Sequence, residues 1–211
     1  MDDMTATATL ADTFAEKAKL VSAVVSTVKS LEEAFDYTVD LCAKKEACKL
    51  LISGCGEPLS PPAEGLCETK QEKVVAAPAL PAAQFKAFKK RCDESGFKLL
   101  QKGMRDNLGG IDIGFTVADW GIADTGTLVI DSSSEELRLA TMISEIHVAV
   151  LPISKIVADT AAQMKQQVAL MRKTPNYTAF VTGASRTADI ERVLALGVHG
   201  PLELHILLLE D

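Results

Sequence analysis

Long apolar runs are missing from this chain, and nothing approaches the ~20 consecutive apolar residues of a membrane-spanning helix. The opening MDDMTATATLADTF carries acidic residues and no apolar core segment, so a secretory signal is not expected either. A surplus of basic residues is also lacking. The formal net charge of −7 argues against non-specific binding to nucleic acid or anionic membranes, which requires excess Lys and Arg. An acidic average still accommodates a basic pocket. No Cys-x-x-Cys pair occurs. The five cysteines, Cys42, Cys48, Cys55, Cys67 and Cys92, are odd in number, scattered, and all precede Asp93. That usage predicts thiols in a reducing cytoplasm rather than a disulfide framework. It also predicts no iron-sulfur cluster of the chain's own, since a cluster needs several thiolates brought close together. The three histidines, His147, His199 and His205, are too dispersed to spell a metal site. Neither a P-loop nor a Gly-x-Gly-x-x-Gly fingerprint is present, which weighs against standard nucleotide or dinucleotide binding. Internal repeats and low-complexity tracts are absent.

What is present suits a globular domain of enzyme size. The 211 residues, 47% hydrophobic and 24% charged, are enough to bury a sizeable core. Residues 1–10 read as a frayed lead, 12–20 as a helix and 21–28 as a β-branched strand. Ser30-Leu31-Glu32-Glu33 is a capping box that opens a helix with apolar positions at Leu31, Ala34, Phe35, Thr38, Leu41 and Cys42. A strand restarts at 50–52. From Gly54 to Pro81 glycine and proline favour loops, interrupted by the short apolar piece Val74-Val75. Residues 81–95 fit a helix with proline in its first turn, and 97–100 a short strand. Strand-like runs follow at 113–118, 126–130, 145–151, 178–181 and 204–209. A helix is expected over 159–173, with Ala161, Met164, Val168 and Met171 on one face. The alternation predicts an α/β fold with a largely parallel sheet flanked by helices, and the crowded strands between 113 and 151 add a small β-rich insertion.

Two segments carry candidate chemistry. The first is Thr182 to Pro201, TGASRTADIERVLALGVHGP, where Gly183, Gly197 and Gly200 allow close backbone approach to a ligand. Ser185, Arg186, Thr187 and His199 supply donors suited to an oxyanion. Arg186 matches a carboxylate or phosphate with its planar fork, helped by helix amides expected near Ser185 and Thr187. The competing reading makes Arg186 and Asp189 a surface ion pair and the hydroxyls helix caps. His199 either faces a ligand, where it would donate to an oxyanion or move a proton, or bonds backbone in a tight loop. His147 and His205 lie in apolar strands and read as packing residues. The second segment is Asp124-Thr125-Gly126-Thr127. Either it faces an anion with Asp124 as base, or it is a β-turn that uses Gly126 for its dihedral. Asp119, Trp120, Lys102, Arg105 and the Gly54-Cys55-Gly56 thiol are weaker candidates.

Together, Ala123-Asp124-Thr125-Gly126-Thr127-Leu128-Val129 and Thr182-Gly183-Ala184-Ser185-Arg186-Thr187-Ala188-Asp189-Ile190-Glu191, followed by Leu196 to Pro201, resemble the lactate-utilisation (LUD) domain family, in its small LutC-like (YkgG-like) branch. The resemblance implies one LUD domain over 11–211 with a NagB/RpiA/CoA transferase-like fold. It further implies a cytoplasmic role in oxidising L-lactate to pyruvate beside subunits that carry iron-sulfur clusters, with no intrinsic cofactor. On this reading Asp124 and His199 are catalytic candidates, and Thr125, Gly126, Thr127, Gly183, Ser185, Arg186, Thr187 and Gly200 bind a small anionic ligand. Two other functions fit the residues. One is a self-sufficient enzyme of the same superfamily acting on a phosphorylated or acyl-carrying molecule, and the other is a ligand sensor without turnover.

Overall fold

The computed structural model describes residues 2–46, 61, 72–107, 110–171, 176–187, 195–196 and 200–211. Helix α1 (Asp2–Leu20) leads into strand β1 (Ala23–Val28), helix α2 (Leu31–Lys44), β2 (Val74–Ala76), α3 (Ala82–Glu94) and β3 (Lys98–Leu100). Then come β4 (Ile111–Val117), β5 (Trp120–Ile122), β6 (Thr127–Asp131), α4 (Glu135–Met142), β7 (Ser144–Pro152), β8 (Ile156–Val157) and α5 (Thr160–Met171). The chain closes with β9 (Thr178–Val181), the short strands β10 (Arg186–Thr187) and β11 (Ala195–Leu196), and β12 (Glu203–Leu209).

Six strands form the main sheet in the order β1-β12-β7-β4-β2-β3, every pair parallel. Strands buried on both faces need near-continuous apolar sequence, which β7 and β12 supply. One face packs on α2 and α3 through Phe35, Phe88 and Phe115, where the Phe35 and Phe88 rings stack at 4.5 Å. The other face packs on α1 and on a second sheet of order β8-β5-β6-β9, through Phe14, Leu128, Ile130, Leu151, Leu204 and Ile206. In this sheet β5, β6 and β9 are antiparallel neighbours.

The Ser30 capping box forms as expected. Glu33 N–H donates to the serine hydroxyl at 3.2 Å, and the Glu33 carboxylate accepts from Lys29 N–H at 2.8 Å. Several expectations need correction. Residues 2–10 are helical rather than frayed, because no glycine or proline interrupts the stretch that continues α1 backwards from its packed end. Val74 and Val75 lie in a fully buried strand rather than a loop. The β-rich element is not one insertion, since its strands come from 120–131, 156–157 and 178–181. Helix α5 turns Met164 and Val168 to solvent and buries Gln163, so its apolar spacing does not mark the packed side. The strand expected at 50–52 lies outside the described residues, as do Cys48, Cys55 and Cys67.

Buried polar groups, Asp112 and His147 among them, also sit inside the core. The Asp112 carboxylate, fully buried, accepts from Lys45 Nζ at 2.8 Å and from Val74 N–H at 2.7 Å. Burial works to lower the Lys45 pKa, but Asp112 and Glu145, the latter at 3.2 Å, together hold it above its ordinary value. His147 is likewise buried, with Nε2 2.8 Å from the Thr116 hydroxyl, and desolvation pushes its pKa down to about 4.

Candidate functional site

The two motif segments meet at the end of α1. Residues 123–126 form the turn between β5 and β6, and Gly126 adopts φ 63° there. A Cβ on Gly126 would stand 2.3 Å from the backbone nitrogen of Ala18, so the turn touches the α1 backbone and only glycine fits. Gly183, after β9, repeats the device. It has φ 76°, and a Cβ would lie 2.2 Å from the Val21 carbonyl oxygen. Both glycines therefore answer to close packing against residues 17–21. Ser22 lies just beyond and has a φ of 66°, the one positive value at a non-glycine among the described residues. Such a conformation costs about 1–3 kcal/mol and clusters at functional sites.

Hydroxyls line this junction. Thr127 Oγ1 lies 2.8 Å from both Thr125 Oγ1 and Thr182 Oγ1, linking the two motifs across β6 and β9. Arg186 Nη1 donates to Ser22 Oγ at 3.4 Å, and Ser185 N–H donates to the Pro201 carbonyl at 3.0 Å. Gly200 faces Ser185, with a hypothetical Cβ 3.3 Å from the serine Cβ. The fold thus gathers Ser22, Thr125, Thr127, Thr182, Ser185, Arg186 and Gly200 from distant parts of the chain. Asp124 is exposed on the same turn, and its N–H donates to the Ala158 carbonyl at 3.1 Å. His199 and Gly197 lie outside the described residues, as do Asp189 and Glu191. Thr187 is placed by its backbone, in β10.

The surroundings differ from the expectation in two ways. Arg186 and Thr187 form β10, paired antiparallel with β11, so no helix N-terminus opens at Ser185 to Thr187. The junction also lies at the amino ends of β1 and β12, whereas ligands of open parallel sheets ordinarily sit at the carboxyl ends. The reason is that β9, which feeds the motif, belongs to the second sheet. The nearby helix end is the carboxyl end of α1, with Lys17 and Lys19 in its last turn. Its partial negative charge opposes an anion by about 0.3–1 kcal/mol. A charge-assisted hydrogen bond from Arg186 contributes about 1.5–3 kcal/mol and outweighs it. The junction is chemically a hydroxyl-lined cradle with one guanidinium.

The other candidates resolve into structural roles. Asp119 accepts Asp131 N–H at 2.6 Å and braces the start of β5, and burial raises its pKa. Arg105 is an exposed ion-pair partner of Glu135. Cys42 and Cys92 are buried, and desolvation pushes the Cys92 thiol up to about 12. Sequence reasoning missed Ser22, whose backbone strain has no sequence signature, and missed the pairing of His205. That histidine is buried as expected, yet its Nδ1 meets the Tyr37 hydroxyl at 2.8 Å and its Nε2 meets Glu203 at 2.8 Å.

Fold and site together define an α/β domain that joins a parallel sheet to a smaller mixed sheet and presents a cradle at their junction. The chain belongs to the LUD domain family, whose model matches residues 11–209. Among curated relatives, it is 35% identical over 103 residues to lactate utilization protein C of Bacillus licheniformis, covering 47% of this chain and 43% of that one. It is 32% identical over 103 residues to lactate utilization protein C of Halalkalibacterium halodurans, covering 47% and 45%. An uncharacterized protein from Neisseria meningitidis is 37% identical over 97 residues, covering 46% and 42%. The matched stretches therefore span less than half the length of these relatives. In fold, the chain is similar to the crystal structure of a DUF162 family protein from Deinococcus radiodurans, with TM-score 0.58 at 15% identity over 96% of this chain and 98% of that one. No described helix is long and apolar enough to cross a membrane.

Proposed function

We propose that this protein takes part in lactate utilization, and that the cradle at the end of α1 binds a small carboxylate, L-lactate or pyruvate. The observation that carries this reading is the convergence of Arg186, Ser22 and the Thr125-Thr127-Thr182 hydroxyls at one junction. A guanidinium matches the two carboxylate oxygens, and threonine hydroxyls suit the 2-hydroxyl or 2-oxo oxygen. Asp124, exposed on the same turn, is the candidate base, with His199 as a second proton carrier. In this reading iron-sulfur partner subunits in the cytoplasm receive the electrons.

The relatives named lactate utilization protein C support the process, and the cradle supports the ligand class. Calorimetric titration of the full chain with L-lactate and with pyruvate tests the ligand, and Arg186→Ala is the diagnostic variant. Loss of the 1.5–3 kcal/mol charge-assisted contact corresponds to about 10- to 150-fold weaker binding. Unchanged affinity in that variant would remove Arg186 from the site. Tagged protein pulled down anaerobically, then assayed for iron and lactate-dependent dye reduction, tests the partners. An iron-free eluate without lactate activity argues for an independent enzyme or a sensor.

A further inference from the structure

The outer face of the second sheet, turned away from the main sheet, is sorted into rows. Leu128 and Ile130 of β6 and Val181 of β9 pack into the core beneath it, and a Cβ on Gly121 of β5 would stand 2.5 Å from Leu151 Cδ2 and 3.0 Å from Phe14 Cε2. Side chains alternate along a strand, so Trp120, Ile122, Thr127, Val129, Phe180 and Thr182 turn outward. The register sets Trp120 opposite Val129 and Val129 opposite Phe180, which makes one apolar row across three strands. Thr127 and Thr182 form the next row, joined hydroxyl to hydroxyl at 2.8 Å. On the other side Asp131 pairs with Thr178. The apolar row is therefore a band one residue wide between polar rows. Val129 at its middle is fully buried, Trp120 is partly buried and Phe180 is 49% exposed.

A half-open aromatic on a sheet face is ordinary when it stands alone. Here it adjoins the hydroxyl pair that lines the cradle, and an apolar wall beside a few convergent polar groups is the make-up of a small-molecule pocket. Two residues along a strand span about 7 Å, so the apolar row lies about that far from the threonine row. The methyl of lactate stands about 2.5 Å from its carboxyl carbon and does not reach that row. A 2-hydroxy acid with a phenyl or branched apolar group on its third carbon does. We propose that Trp120, Val129 and Phe180 form the side-chain subsite of the cradle, and that its ligands are 2-hydroxy or 2-oxo acids with a bulky apolar side chain, lactate being the smallest of that class. The assignment rests on the carboxylate reading of the cradle. Arg186 and the threonine hydroxyls hold the acid end. The apolar end of the ligand lies against Phe180 and covers the ring that the free protein leaves in water.

Calorimetric titration of the full chain with L-lactate and with its phenyl-bearing analogue L-phenyllactate is the test. Covering a phenyl group with apolar surface corresponds to about tenfold or more in affinity, so L-phenyllactate should bind tighter by that factor. Phe180→Ser should bring the ratio of the two affinities close to one. The side chain is half exposed on an edge strand, so folding survives the change, and circular dichroism checks that it does. Met142→Ser, at an exposed apolar residue of α4, should leave the ratio unchanged. Arg186→Ala should weaken both ligands. L-lactate binding that needs Arg186, with no preference for L-phenyllactate, overturns the subsite and leaves the carboxylate reading standing. A preference that survives Phe180→Ser also overturns the subsite, as does L-phenyllactate binding that ignores Arg186→Ala. Binding of neither acid overturns the carboxylate reading and the subsite with it.

Discussion

Gly126→Ala separates a turn that is glycine for packing from one that is glycine for a ligand. At φ 63° an alanine costs about 1–2 kcal/mol for the left-handed conformation alone. Its Cβ would also sit 2.3 Å from Ala18 N and 2.6 Å from Ala18 Cα, both backbone atoms of α1. Relief requires α1 and the turn to part by on the order of 1 Å, an overpacking cost of about 1–3 kcal/mol. The total is about 2–5 kcal/mol, a large share of the 5–15 kcal/mol typical of a folded domain. Gly96 supplies the control, since its φ is 73° and a Cβ there meets nothing within 4 Å. Gly96→Ala should cost only the dihedral term, about 1–2 kcal/mol. Urea unfolding of both variants reads the difference, expected at about 1–3 kcal/mol in favour of Gly96→Ala. Equal losses would refute the claim that Gly126 is held by its contact with α1.

Three further expectations follow from the buried polar groups. His147 stays neutral in the folded protein down to about pH 4, whereas an unfolded histidine takes up a proton near 6.5. Stability should therefore fall as pH drops through 6.5 towards 4, by about 3 kcal/mol in all, and His147→Gln should flatten that slope in urea midpoints taken at stepped pH. Lys45→Met removes the cation that pairs with the buried Asp112 carboxylate and should cost about 3–5 kcal/mol in urea unfolding at neutral pH. Lys45→Arg keeps the charge and should lose less, and equal losses would show that charge is not the cause. Tyr37→Phe removes a hydroxyl bound to a buried histidine and should cost about 1 kcal/mol in thermal or urea unfolding, with no change in fold.

Local pattern carried most of the elements. The capping box placed α2 because the serine hydroxyl and Glu33 satisfy amides within four residues of each other. The runs at 145–151 and 204–209 read as buried strands because two covered faces demand continuous apolar sequence. Helix α5 shows where such reading stops. Its apolar spacing is genuine, yet packing against the second sheet buries Gln163 and leaves Met164 and Val168 in solvent. Periodicity says that a helix has two sides. It does not say which side a neighbour will cover.

By itself the sequence determined the α/β class, the longer strands β1, β4, β6, β7, β9 and β12, and the two motif segments, because turn chemistry, capping and hydrophobic period act over a few residues. Tertiary structure alone decided that β9 joins a second sheet, that the motifs meet at the carboxyl end of α1, and that Ser22 and Thr182 stand beside Arg186 and Thr127. Those contacts join residues 55 and 164 positions apart, a separation at which no local preference acts and only the packing of the whole chain sets the geometry.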